Sequence, residues 1–140
     1  MISDVGHNIR YGLPVVAELA RRFQAGDFAG AFELYHPRVR IVQPASLPHG
    51  GVHEGHDAVR AMAATFAQFW TRTISEALRT LCADGRVLQQ TTQTFTAKAT
   101  GRSASMHVLE LFSFRAGQIA EICVFQHDTQ RLLETLENGG

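Results

Sequence analysis

Glu110 is the residue of this chain best placed to do chemistry. It lies in Met106-His107-Val108-Leu109-Glu110-Leu111-Phe112-Ser113-Phe114, a run whose side chains alternate faces if it forms a strand. Met106, Val108, Glu110, Phe112 and Phe114 then share one face, and Glu110 is its only polar member. A carboxylate on an apolar face is costly unless it is hydrogen-bonded, paired or kept protonated. It is therefore either a structural Glu tied to an arginine or to backbone amides, or a carboxyl group inside a pocket. No arginine or lysine shares its strand face, so burial is expected to push its pKa above the usual carboxylate range. Such an acid is partly protonated near neutral pH and can donate to a ligand carbonyl.

A second polar cluster is Gln126-His127-Asp128. Gln126 shares a face with Ile122 and Val124 and so points inward, while His127, like His107, points the other way. Asp128 stands where a last helix begins, a usual place for a capping carboxylate. The loop Pro48-His49-Gly50-Gly51-Val52-His53-Glu54-Gly55-His56-Asp57 gathers three histidines and two acids. That spacing matches no zinc signature, because the glycines between the histidines give no fixed face. No metal site is assigned. These are read as solvated loop residues, with His49 or His53 able to lie over a pocket mouth. Cys82 and Cys123 also lack metal-type spacing and read as strand thiols in a reduced, cytoplasmic setting.

The elements that must position these groups follow from the periodicity. Val16, Leu19, Ala20 and Phe23 form one helical stripe from Leu13 to Gln24, with Pro14 in the first turn and Gly26 as the stop. Asp27 caps a short second helix carrying Phe28, Ala31, Phe32 and Tyr35, closed by Pro37. Arg38 to Gln43 alternates, with Val39, Ile41 and Gln43 on one face. Pro44 to Gly55 reads as a loop. A third helix carries Val59, Met62, Ala63, Phe66 and Trp70. Strands follow: a weak run from Thr73 to Cys82, a hairpin at Asp84-Gly85, Val87 to Ala97, a turn at Thr100-Gly101, the Glu110 strand, a turn at Arg115-Ala116-Gly117, and Ile119 to Gln126. A terminal helix carries Leu132, Leu133 and Leu136. Helices first and antiparallel strands later imply an α+β domain with helices packed on one face of a curved sheet.

Length fits one domain spanning residues 1–140. Thirteen Lys and Arg balance thirteen Asp and Glu, so nothing pulls the chain broadly toward nucleic acid or anionic lipid. No apolar stretch is long enough to span a bilayer. The residues Met1 to His7 lack the charged and apolar regions of a signal peptide.

Three segments carry a family resemblance. Phe23-Gln24-Ala25-Gly26-Asp27-Phe28-Ala29-Gly30-Ala31-Phe32-Glu33-Leu34-Tyr35-His36-Pro37 resembles the helix, Ala-Gly-Asp, helix opening of SnoaL-like proteins. Gly51 to Ala58 resembles their glycine-marked lead into the third helix. Phe114 to Glu121, continuing through Phe125 to Asp128-Thr129, resembles their final hairpin. The resemblance covers roughly residues 13–136. It implies the cone-shaped fold of the nuclear transport factor 2 and ketosteroid isomerase superfamily, with a strongly bent sheet around a deep apolar pocket. Members include isomerases, polyketide cyclases, epoxide hydrolases, dehydratases and non-catalytic binding domains, so the fold does not choose the chemistry.

In ketosteroid isomerase an Asp base works with a Tyr and a protonated Asp that hold the oxyanion. By resemblance, Glu110 falls at the protonated acid, Gln43 at the base and Leu19 at the tyrosine. An amide cannot abstract a carbon-bound proton and leucine cannot donate, so that triad is not retained. The cyclases of the family place an acid near the end of the final strand, which implies a role for Asp128. Glu110, Gln43 and Asp128 are therefore the expected catalytic set. Tyr35, Ile41, Met62, Phe66, Trp70, Val108, Phe112, Val124 and Gln126 are the expected ligand-binding residues, with Phe23 also on the wall. The expected partner is a small apolar molecule, handled without cofactor by isomerisation, cyclisation, dehydration or hydrolysis. The alternative is a non-catalytic ligand-binding or dimerisation domain. His107, Leu109, Leu111, Cys123 and Phe125 make a partly apolar outer face, which predicts a homodimer packed sheet on sheet.

Overall fold

The computed structural model describes residues 2–75 and 77–138, with side chains described from Gly12 onward. Helix α1 (Ile2–Gln24) buries Val16 and Leu19, half-buries Phe23 and leaves Ala20 exposed. The helix reaches well back of Leu13 and carries Pro14 inside it rather than in its first turn, which removes one backbone donor from the helix. Gly12 sits in a close crossing: a Cβ there would lie 2.9 Å from the Phe114 ring and 3.1 Å from Val87.

Asp27 caps α2 (Phe28–Glu33) by accepting from the Gly30 N–H at 2.9 Å. The helix ends before Tyr35. Tyr35 and Pro37 belong instead to strand β1 (Tyr35–Gln43). Proline has no N–H for a ladder, and the register of β1 against its neighbour duly breaks between Tyr35 and Arg40. The expected loop contains a short strand, β2 (Gly51–Glu54), paired antiparallel with β1. Gly55 starts α3 (His56–Phe69). Trp70, assigned to that helix by spacing, opens β3 (Trp70–Ile74). The weak run from Thr73 to Cys82 resolves into the end of β3 and a separate β4 (Arg79–Ala83).

Both short strands pair with one edge of β5 (Arg86–Ala97), β4 along its first half and β3 along its second. A long strand edged by two short ones in succession can bend between them. The Asp84-Gly85 turn between β4 and β5 takes positive φ at both residues, as a two-residue hairpin of matching twist requires. Strands β6 (Ser103–Arg115) and β7 (Gln118–Gln126) complete the sheet, in order β2-β1-β7-β6-β5-β3 with β4 also on β5. All described pairings are antiparallel except β1 with β7, which is parallel. Asp128 caps the last helix, α4 (Thr129–Glu134).

The result is an α+β cone: a strongly curled sheet wrapped around helices. Its interior has two apolar clusters. One joins α1, α2 and α3 to the sheet through Val16, Leu19, Ala31, Tyr35, Val39, Val59, Phe112 and Ile122. The other gathers Leu47, Trp70, Phe95, Met106, Val108 and Leu132, with Phe66 and α4 against it.

Candidate functional site

The polar side chains lie between these clusters, on the concave face. Met106, Val108 and Phe112 are buried while His107 is exposed, so the alternation expected for β6 holds and Glu110 faces inward. Glu110 is paired with Gln89 of β5 and Val124 of β7. Continuing the parallel register past Val42 and Cys123 brings Gln43 level with Val124. Strands about 4.8 Å apart then separate the Glu110 and Gln43 backbones by roughly 10 Å, with one strand between. The adjacent row runs Thr91, Val108, Gln126. Gln43 donates weakly through Nε2 to the Met62 sulfur at 3.9 Å.

Glu110 stays partly accessible to solvent although protein surrounds its carboxyl group. Burial pushes its pKa up, as expected, but a cation opposes the shift: Arg72. No arginine or lysine shares the Glu110 strand face, as expected, but this one comes from another strand, β3. Arg72 is two residues beyond Trp70 and shares its face of β3. In a flat sheet the register of Arg72 with Phe95, and of Phe95 with Ala104, would set it six residues along β6 from Glu110, about 20 Å away. The curl of the sheet brings the two charges within electrostatic reach. Arg72 also lies over the Phe66 ring, 5.2 Å from its centroid. Solvent reaches the Arg72 side chain, yet surrounding protein draws its pKa down, against the pull of Glu110 and Tyr35. Burial and the Glu110 charge push the Tyr35 phenol up, with Arg72 opposing.

His49 is the other group not assigned to the interior by its sequence. It is only 3% exposed, its ring edge-on to Phe66 at 5.1 Å and to Trp70 at 5.9 Å. Burial, then Arg72, then His53 lower its pKa to about 4, so it is neutral at physiological pH. Among the described residues, three buried polar atoms have no hydrogen-bond partner: Gln43 Oε1, Gln126 Oε1 and His49 Nδ1. Buried polar groups are ordinarily satisfied, so each such atom calls for an ordered water, a ligand or a functional role.

The remaining residues sort clearly. Tyr35, Ile41, Trp70, Val108 and Phe112 are buried, and Met62, Phe66 and Val124 half-buried. Phe23 packs on Phe28 at 5.9 Å, at the corner of α1 and α2. Asp128 Oδ1 accepts from the Arg131 N–H at 3.1 Å, which occupies it as a cap. His53 Nε2 meets the His49 carbonyl at 2.9 Å and His56 Nε2 the Tyr35 carbonyl at 3.2 Å. His107 and His127 are exposed. Among the described residues no group of three or more His, Cys, Asp or Glu is arranged to hold a metal ion.

Parity from Trp70 would have placed Arg72 inside had the helix been ended at Phe69. His49 carried no signal, because its loop has no period. Gln89, Thr91 and Gln93 alternate with other polar residues, so their inward face could not be told from the outward one.

A family model described as SnoaL-like domain matches residues 16–122. An NTF2-like protein of unknown function from Burkholderia pseudomallei superposes with a TM-score of 0.83 at 21% identity, over 91% of this chain and 98% of that one. TerC, co-crystallised with polyporic acid, gives 0.81 at 19% identity, over 90% and 98%. A candidate polyketide cyclase from Xanthomonas campestris gives 0.76 at 14% identity, over 93% and 99%. At these identities the likeness is one of fold. No functionally curated protein matches the sequence.

Proposed function

The chain belongs to the SnoaL-like family, and from that premise we propose that its cone holds a small, largely apolar molecule and performs acid–base chemistry on it without a cofactor. The observation that carries this reading is the set of unpartnered buried atoms, Gln43 Oε1, Gln126 Oε1 and His49 Nδ1, on the concave side that Glu110 also faces. Apolar walls with a few convergent polar groups are the usual make-up of a small-molecule site. Glu110, raised in pKa by burial, is the acid or hydrogen-bond donor to a carbonyl oxygen, and becomes the base when ionised. Gln43 orients the same oxygen or a water. Asp128 accepts a cap hydrogen bond through Oδ1, and this reading leaves it out of the acid–base set. Isomerisation, cyclisation, dehydration and hydrolysis all lie within reach of such a group.

The second reading, a non-catalytic binding domain, is favoured by that loss of Asp128 as a second carboxylate. One experiment separates the two. Wild-type protein is incubated in deuterium oxide with cyclohexanone and larger cyclic ketones, and binding and exchange of the protons beside the carbonyl are followed by NMR. Faster exchange that Glu110→Ala abolishes supports catalysis. Binding without exchange supports the second reading. No binding in the wild type, or the same behaviour after Glu110→Ala, sinks both.

Assembly is part of the proposal. A cross-strand row Leu81, Leu88, Leu111, Cys123, Val42, Val52 crosses six strands on the convex face, with Leu81 63%, Val52 56% and Phe125 51% exposed. A second copy of the chain packed sheet on sheet would cover it. Light scattering at micromolar concentration should return a dimer mass, and a monomer mass counts against it. The two cysteines are free thiols, consistent with a reducing, cytoplasmic setting.

A further inference from the structure

We propose that Arg72 and His49 form an acid-recognising end of this site, and that the molecule bound there carries one carboxylate on an apolar body. The inference rests on reading the concave face as a small-molecule site and adds the substrate class. Arg72 lies over Phe66 at 5.2 Å, and His49 meets the same ring edge-on at 5.1 Å. Among the described residues no carboxylate lies within ion-pair distance of Arg72. A guanidinium resting on an aromatic ring keeps its N–H edges free, and those edges match the two oxygens of a carboxylate.

His49 supplies the independent observation. Its side chain is almost completely buried, yet Nδ1 has no partner. In the tautomer with a proton on Nδ1, the ring donates to a ligand oxygen at no cost in charge. A buried donor of this kind is expensive to leave unmade. The charge count favours a monoanion. Arg72 is the cation that Glu110, Tyr35 and His49 all feel, whereas a dianionic phosphate placed beside Glu110 would want a second cation. The rest of the ligand would meet Phe66, which is half-buried and backed by the rings of Trp70 and Phe95. Arg72 and Glu110 feel each other's charge, so a carboxylate held on the guanidinium anchors the molecule and leaves another part of it facing the acid.

The test compares cyclohexanecarboxylate with cyclohexanecarboxamide, equal in shape and different in charge. Binding is measured by calorimetry at neutral pH, with fluorescence of Trp70, the single tryptophan, as a second readout. The wild type should bind the acid at least tenfold more tightly than the amide. Arg72→Gln should cost the acid at least tenfold and leave the amide within about twofold. Arg72→Lys should keep part of the preference, and His49→Phe should lower acid affinity severalfold. Equal binding of acid and amide by the wild type overturns the inference while leaving a small-molecule site standing. A preference that survives Arg72→Gln overturns it too, as does a wild type that does not bind the acid.

Discussion

Two sets of buried polar groups inside this cone are treated oppositely. Beneath the second apolar cluster, Trp70 Nε1 donates to Thr135 Oγ1 at 2.9 Å, Thr135 Oγ1 donates to the Leu132 carbonyl at 2.6 Å, and the Thr100 hydroxyl donates to the Thr135 carbonyl at 2.5 Å. Every member of that chain is satisfied, and it ties α4 to β3. At the Glu110 end, Gln43, Gln126 and His49 each keep an atom without a partner. A satisfied network specifies a fold. An unsatisfied set destabilises the fold, and in the proposed reading a ligand completes it. Both regions are buried, so burial alone does not distinguish a structural polar group from a functional one. The state of its hydrogen bonds does.

Breaking the closed end should have the largest effect. Trp70→Ala removes a buried aromatic and a hydrogen bond and should cost about 3–5 kcal/mol in denaturant unfolding. Against a total of roughly 5–15 kcal/mol for a native domain, that brings the protein near its threshold. Thr135→Val keeps the shape but strands the Trp70 donor, so a loss of about 1–3 kcal/mol is expected.

The open end should respond to pH instead. His49 has a folded pKa of about 4 against about 6.5 when unfolded. As pH falls through that window the unfolded chain takes up a proton that the folded one refuses, so stability falls, by roughly 3 kcal/mol at most. His49→Gln should remove this slope in unfolding curves recorded at pH 7 and pH 4.5. Glu110 has the opposite sign. Its folded pKa is raised, so its contribution is greatest below the unfolded value of about 4.3 and is lost as pH rises through the folded one. Glu110→Gln should therefore gain stability relative to wild type as pH rises. The smallest effect is expected for Gln126→Leu, within about 1 kcal/mol of neutral in stability, with ligand affinity reduced. A clear loss of stability there would mean that Gln126 belongs with the closed end, and the contrast between the two regions would fail.

Much of this contrast is legible in the amino-acid order, and the remainder is hidden for definite reasons. Strict alternation from Met106 to Phe112 put Glu110 inside, Val39, Ile41 and Gln43 shared a face as expected, and the Asp27 and Asp128 caps formed where the helix starts required them. Tyr35 and Trp70 were misassigned because both sit one or two residues past a helix end, where the helical spacing still holds although the backbone has turned to strand. The Arg72–Glu110 encounter was invisible because it depends on how far the sheet curls. Strand parity tells which face a residue occupies and says nothing about distances across a curved face.

The parallel joint between β1 and β7 has a consequence in time. Ile41 pairs with Ile122, and Val42 with Cys123, so the first long strand waits for the last. Contacts of such sequence separation close large loops before they are rewarded, and chains dominated by them fold slowly. During synthesis, β1 leaves the ribosome with its β7-facing edge open until residues 118–126 follow. Gln43 and Gln126, one on each partner, can meet a common ligand only after that joint closes. A ligand that bridges them would therefore slow unfolding more than it speeds folding.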